Sequence, residues 1–241
     1  GRVNCSARPG TASHTASPVS QSETSTPDAT AVAATVMAWL RRSRASGPWV
    51  TLTTSREAMA ATIGERAAYD RGVVFTLDTD LPPALAPLAW LIGRWEGAGV
   101  VGYPTIESKQ FGQEIVCSHD GRPFLEWHSH TWLLDEDGQK VRPLATELGF
   151  WRPLEAQPDG TNVEFLLAHP TGFVEMYAGK AEPAKVEVRT DGVMRSPAAK
   201  EYTAAHRLYG LVNSNLMWVM DMAAMGQPLQ SHVSAELKRV E

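Results

Sequence analysis

The sequence predicts an all-β protein: a ten-stranded antiparallel meander closed into a β-barrel, with a disordered or weakly helical N-terminal extension. Three observations carry this reading. From Leu81 onward, short segments rich in β-branched and aromatic residues recur at the roughly ten-residue spacing of antiparallel strands. Turn chemistry separates most of them: HDGR at 119–122, DEDG at 135–138, QPDG at 157–160, HPTG at 169–172 and NSN at 213–215. Composition also breaks near residue 80, dividing the chain into an extension, 1–80, and a barrel domain, 81–241.

Residues 1–29 are dominated by Ser, Thr, Ala, Gly and Pro and cannot bury enough surface to offset ordering entropy, so they are expected to be disordered. Residues 26–47 read as a short helix, capped by Thr26 or Asp28, striped by Val32, Val36, Trp39 and Leu40, and ended by Gly47. Residues 55–72 read as a second helix, from Ser55 to Gly72. Neither has an obvious apolar partner nearby, which suits a loosely attached extension. The segment LPPALAPLAWLIG, 81–93, reads as helical or 3₁₀ because its prolines come early. The expected strands are 94–101, 108–118, 123–134, 145–153, 162–168, 172–179, 184–190, 201–212, 215–224 and 231–240. A meander of that length removes its open edges most simply by closing.

The first strand carries an unusual face. Gly93, Trp95, Gly97 and Gly99 alternate on one side, where glycine weakens pairing. Bare positions let a strand coil sharply, or let a ligand or a neighbouring backbone come close. Trp95 on the same face supplies a broad apolar lid whose indole N–H needs a partner once buried. A barrel cup fits these residues, and so does a glycine-softened strand in a solid β-sandwich with Trp95 as ordinary core.

Composition excludes several classes. A net charge of −5 and a pI near 5.8, with Lys and Arg dispersed among acids, argue against a nucleic-acid surface. No run approaches the roughly 18 apolar residues of a membrane helix. Cys5 and Cys117 make neither a disulfide framework nor a zinc spacing, so a reducing, cytoplasmic setting is expected. The opening GRVNCSARPG has no initiator Met and no apolar core of a signal peptide.

The stretch GRWEGAG, with Gly93, Trp95, Gly97 and Gly99, resembles the G-x-W-x-G-x-G signature of the nitrobindins. YPTIE follows at the family's spacing. GQEIVCSHDGRPFLEW, RPLATELGFWRP, LAHPTGFVEMYAG, AAKEYTAAHR and MAAMGQPLQSHVSAELKRV then resemble successive nitrobindin blocks in order, over about residues 82–241. The resemblance implies a ten-stranded barrel holding one ferric heme b, which binds nitric oxide and isomerises peroxynitrite to nitrate. It implies an axial iron ligand at His232, a heme-lining Thr105, a Met222 packed by the heme and a Lys200 that reaches a propionate. A neutral imidazole suits such iron, and the reaction belongs to the cofactor, so no protein acid or base is needed. Where several relatives carry a His after Pro-Leu, this chain has Ala145, which removes a distal hydrogen bond. The implied partners are small ligands, with no nucleic acid and no membrane, and a homodimer is compatible. Two rival readings stay open: a lipocalin-like carrier of a fatty acid or other apolar molecule, and a cofactor-free interaction module.

His232 raises a puzzle of parity. It alternates with Ser234, Glu236 and Lys238, opposite to Val233, Ala235 and Leu237, so strict period-two logic turns it away from an apolar interior. Either the strand begins after it, or a bulge intervenes, or the heme lies at an exposed mouth. The remaining candidates read as structural. His128 and His130 share a strand face with Glu126 and lack a third metal ligand at a recognisable spacing. His169 reads as a turn residue, His206 as surface, and Cys117 as an inert thiol. Glu147 and Arg152 read as a pair across the barrel wall, and Trp127, Trp132, Trp151 and Trp218 as wall or core.

Overall fold

A computed structural model describes residues 80–240; the two helices expected at 26–47 and 55–72 lie outside them. A nine-residue 3₁₀ helix, Pro83–Leu91, leads into ten strands: β1 (Gly93–Tyr103), β2 (Ile106–Ser118), β3 (Leu125–Leu134), β4 (Lys140–Gln157), β5 (Gly160–His169), β6 (Phe173–Glu182), β7 (Lys185–Arg195), β8 (Tyr202–Val212), β9 (Asn215–Ala224) and β10 (Gln230–Arg239). Each strand pairs antiparallel with the next, and β10 pairs with β1, so the sheet closes into a barrel with no free edge. Among the described residues no helix is long and apolar enough to cross a membrane.

The expected elements match closely except β4, which runs 18 residues where 145–153 was expected, and β7, which continues to Arg195 where an end at 190 was expected. Proline cannot donate to a ladder, so Pro143 and Pro153 would each interrupt a regular strand. The strand keeps both by breaking register beside them, against β3 between His130 and Trp132 and against β5 between Pro153 and Ala156.

An up-and-down barrel sorts its turns by parity. Turns that leave odd strands gather at one end, here the mouth, and turns that leave even strands gather at the other. The 3₁₀ helix plugs that other end. Leu85, Leu88 and Leu91 are completely buried, and Trp95 Nε1 donates to the Leu91 carbonyl at 2.9 Å, so the large indole is sealed without an orphan donor. Arg239 lies 4.1 Å over the Trp95 ring and donates to the carbonyls of Trp90 and Ile92, which ties the last strand to the plug. Behind the plug, Trp151 stacks on Phe165 at 3.8 Å, and Trp127 meets both rings edge-on.

The glycine face now has a cause. Gly93 turns the chain from plug to strand at φ 131°, a conformation glycine adopts freely. A Cβ at Gly97 would lie 2.1 Å from the Glu236 carbonyl oxygen of β10. What comes close is a neighbouring backbone, not a ligand, because the strand coils to close the wall.

Outside the barrel, the expected pairing of Glu147 with Arg152 does not occur. The two positions have opposite parity: Arg152 bonds Glu164 on the outer face, while Glu147 turns inward to Arg207. His206 is not a simple surface residue either. It is 8% exposed, with Glu187 at 2.9 Å and Asp221 at 3.7 Å on flanking strands. Across β4 to β7, Leu148, Phe150, Val174, Met176 and Met194 form adjacent rows of exposed apolar side chains.

Gly97→Val is expected to destabilise the fold by about 1–3 kcal/mol, the usual cost of overpacking a tight interior. Urea denaturation measures this directly, and an unchanged midpoint would mean that β10 yields freely at Glu236.

Candidate functional site

The mouth of the barrel opens into a cavity of about 370 Å³. Topology alone assembles its lining. Thr105 comes from the β1–β2 turn, Lys200 from the β7–β8 segment, Met222 from the end of β9 and His232 from the start of β10, and all four line the cavity. The sequence separates these residues by up to 127 positions, and the alternating direction of the strands brings them to one end. Thr105 and Lys200 are exposed at the lip, while Met222 and His232 are half-buried within. Gly93, Trp95, Gly97 and Gly99 do not line it; they belong to the plugged end and its wall.

A bulge settles the parity of His232. In the pairing of β10 with β9, Ser231 faces Asp221 and Val233 faces Met220, so His232 is the extra residue. His232 and Val233 therefore both line the cavity although they are neighbours in sequence. On the adjacent strand, β1 loses register with β2 between Val101 and Tyr103, around Gly102. The two irregularities meet, and His232 Nδ1 lies 2.9 Å from the Gly102 carbonyl oxygen. A carbonyl can only accept, so Nδ1 carries the proton and Nε2 keeps its lone pair. Tyr103 holds the ring edge-on at 5.4 Å. Its own hydroxyl is fixed by the Ala224 N–H at 3.0 Å and the Met222 and Ala224 carbonyls.

Burial lowers the pKa of His232 below the ordinary imidazole value, against the opposing pull of the Gly102 carbonyl and with help from the Arg207 charge. A neutral imidazole with a fixed tautomer, Nε2 free of any protein hydrogen bond among the described residues and set in a mostly apolar cavity, is a donor suited to a metal centre. The residues present therefore fit a heme with one axial nitrogen.

The inner wall is polar, and the sequence reading missed this. Arg207, 1% exposed, makes two bonds to Glu147 at 2.7 and 3.1 Å and donates to the hydroxyls of Tyr177 and Tyr209. Glu175, 3% exposed, accepts from Tyr177 at 2.6 Å and from Tyr202, and its other oxygen lies 2.8 Å from His169 Nε2. Burial opposes ionisation of Glu175, yet His169, Arg207 and the two tyrosines hold its pKa below the ordinary carboxylate value. Trp218 Nε1 donates to Gln113, and Gln113 in turn to Ser129. The signal was present: Glu175 shares parity with Tyr177, and Arg207 with Ala205 and Tyr209, so both charges sit on faces that otherwise read as core. His169, expected in a turn, ends β5 and lines the cavity.

His128 and His130 point outward with ring centroids 5.0 Å apart, and no cluster of three or more His, Cys, Asp or Glu fit for a metal ion occurs among the described residues. Cys117 is buried, and burial pushes its thiol pKa far up, which leaves it unreactive.

An NMR titration of the ligand-free chain is expected to place His232 below the ordinary 6.5 and His206 above it, because Asp221 and Glu187 hold the proton of His206. The reverse order would show that burial does not outweigh the Gly102 bond in setting the charge of His232.

Comparison with known proteins agrees with this geometry. The family profile described as THAP4-like, heme-binding beta-barrel domain matches residues 84–239. A protein of Nocardioides sp. named peroxynitrite isomerase is 51% identical over 165 residues, which cover 68% of this chain and 98% of that one. A Kineococcus radiotolerans protein named ferric nitrobindin-like protein is 47% identical over 175 residues, covering 68% of this chain and 97% of that one. The crystal structure of Rv2717c from M. tuberculosis shares 37% identity at a TM-score of 0.58, covering 67% of this chain and 99% of that one. A closed ten-stranded barrel, a profile match over nearly all of it and relatives at about half identity place this chain in the nitrobindin family of THAP4-like heme-binding β-barrels.

Proposed function

We propose that this protein holds one heme b per barrel through His232 Nε2, isomerises peroxynitrite to nitrate and binds nitric oxide. The observation that carries the reading is the bulged His232, neutral, with its tautomer fixed by Gly102 and its ring facing the cavity. Support comes also from relatives named peroxynitrite isomerase, among them a Salinispora arenicola protein 48% identical to this chain.

The heme, when bound, supplies an iron that takes a small ligand and rearranges it. The chain's own residues do the rest. His232 gives its Nε2 lone pair, and the Gly102 bond keeps that nitrogen unprotonated and correctly aimed. Lys200 at the lip supplies a cation for a propionate, Thr105 a hydroxyl, and Met222 a polarizable apolar contact. The apolar upper walls, Val101, Phe111 and Met220, keep water from competing. No acid–base pair is required of the protein.

A carrier of fatty acids fits less well. The inner end of the cavity is made by Arg207, Glu147 and Glu175, and an acyl tail would have to end against these charges. A cofactor-free interaction module would have no use for the fixed imidazole. A homodimer would find its apolar surface on the rows of β4 to β7. A reducing cytoplasmic setting suits the free, buried Cys117.

Absorption spectra of the full chain mixed with hemin test the reading. The wild type is expected to show a Soret band that shifts on adding nitric oxide, and His232→Ala to lose most of it. Thr105→Val and Lys200→Ala are expected to weaken heme retention less than His232→Ala. Absence of a specific Soret band, with an extracted apolar ligand instead, would establish the carrier.

A further inference from the structure

We propose that His169, aimed by Glu175, is the polar contact for a small inorganic anion held in the cavity on the side away from His232. This rests on the heme reading and adds to it a residue on the opposite wall.

Position is the first reason. In the ring of ten strands β5 stands five steps from β10 in either direction, so His169 and His232 belong to opposite walls of one cavity. Both sit at the mouth end, one closing an odd strand and the other opening an even one.

The second reason is how the imidazole is held. His169 Nε2 lies 2.8 Å from Glu175 Oε2, whose side chain is fully buried. The ring stacks on Phe173 at 4.1 Å, and Phe173 in turn on Tyr202 at 4.9 Å. The β5–β6 turn below it is closed by the Gly172 N–H to the His169 carbonyl, and is tied to the next loop by the Ser196 N–H to the Gly172 carbonyl. Glu175 is kept ionised by its donors and by Arg207, whose nearest nitrogen is 3.8 Å away. An ionised carboxylate accepts, so Nε2 is the N–H nitrogen, and Nδ1 of this cavity-lining ring has no hydrogen-bond partner among the described residues. A buried carboxylate that fixes one nitrogen and stabilises the cation formed at the other is the arrangement that lets an imidazole take up a proton when it is offered.

Chemistry identifies the ligand class. A bare anion gains little from a wall that already holds Glu175 and Glu147. An anion that arrives with its proton is different: Nδ1 accepts the proton, then donates it back as a charge-assisted hydrogen bond, and Glu175 balances the new imidazolium. Thr171 and Lys200 also line the cavity, but from the turns at its mouth. Ala145, on the neighbouring β4, offers only a methyl group, and Arg207 is committed to Glu147, Tyr177 and Tyr209. His169 is thus the ligand-binding residue and Glu175 the residue that positions it.

Azide titration of the hemin-loaded full chain, followed at the Soret band, tests this. His169→Ala and His169→Gln should each weaken azide binding about tenfold or more, the size of one charge-assisted hydrogen bond. The Gln variant keeps an N–H for Glu175, so its thermal midpoint should stay near wild type and its Soret band should remain. Unchanged azide affinity in His169→Gln overturns the proposal, and so does loss of its Soret band, which would make His169 a heme-holding contact. A wild-type chain with no Soret band overturns this inference together with the heme reading. An arm that needs no heme is nitrogen-15 NMR of the ligand-free chain: the proton of His169 is expected on Nε2, and a proton resident on Nδ1 sinks the assignment.

Discussion

The hydrogen bond from His232 Nδ1 to the Gly102 carbonyl exists because two neighbouring strands lose step at the same level of the barrel. A regular ladder would occupy that carbonyl with a backbone N–H and would turn an even-numbered side chain of β10 outward. The bulge at His232 and the register shift around Gly102 cancel both effects at once. One imidazole is thereby admitted to the interior with one nitrogen satisfied and the other free. An isolated imidazole buried without that carbonyl would carry an unmet donor. The bond thus fixes tautomer and direction together, while burial keeps the ring neutral.

The rest of the barrel is arranged around that break. One end is filled by the 3₁₀ helix, Trp95 and the Trp127, Trp151 and Phe165 stack, with glycines in the wall where strands crowd. The other end is left open, and the odd-to-even turns supply its rim. Between them lies a buried layer of Glu147, Arg207, Glu175, Tyr177 and Tyr202, each satisfied by another. Charges so deep are costly unless fully paired, and breaking one pair typically costs about 3–5 kcal/mol. That layer sets the floor of the cavity, gives its inner end a polar character and holds His169 at its edge. Rigid plug, polar floor and open mouth make the cup shallow enough to leave its contents in reach of small solutes.

Much of this was legible before any coordinates. Period-two alternation and turn residues located all ten strands, because each turn carries Gly, Asp, Asn or Pro where the backbone must reverse. Thr105, Met222, Lys200 and His232 were expected near a heme by resemblance, and all four line one cavity. Three things were not legible, each for a physical reason. The length of β4 was hidden because proline normally ends a strand, and only the compensating register shifts show why it does not here. The orientation of His232 was left open because a bulge is a relation between two strands, invisible in one. The inner ion layer was passed over because nothing along the chain links Glu175 and Arg207 to the partners, up to 60 residues away, that make their burial tolerable. Glu147 and Arg152 failed in the opposite direction: nearness along the chain suggested a pair that parity forbids.

The most direct test of the central claim is a crystal structure of the hemin-loaded chain. The iron is expected bonded to His232 Nε2 at about 2.0–2.1 Å, the usual metal–imidazole distance, with Nδ1 still on the Gly102 carbonyl. A porphyrin bound elsewhere on the barrel, or a His232 swung out of the bulge with its Nδ1 bond broken, would contradict it.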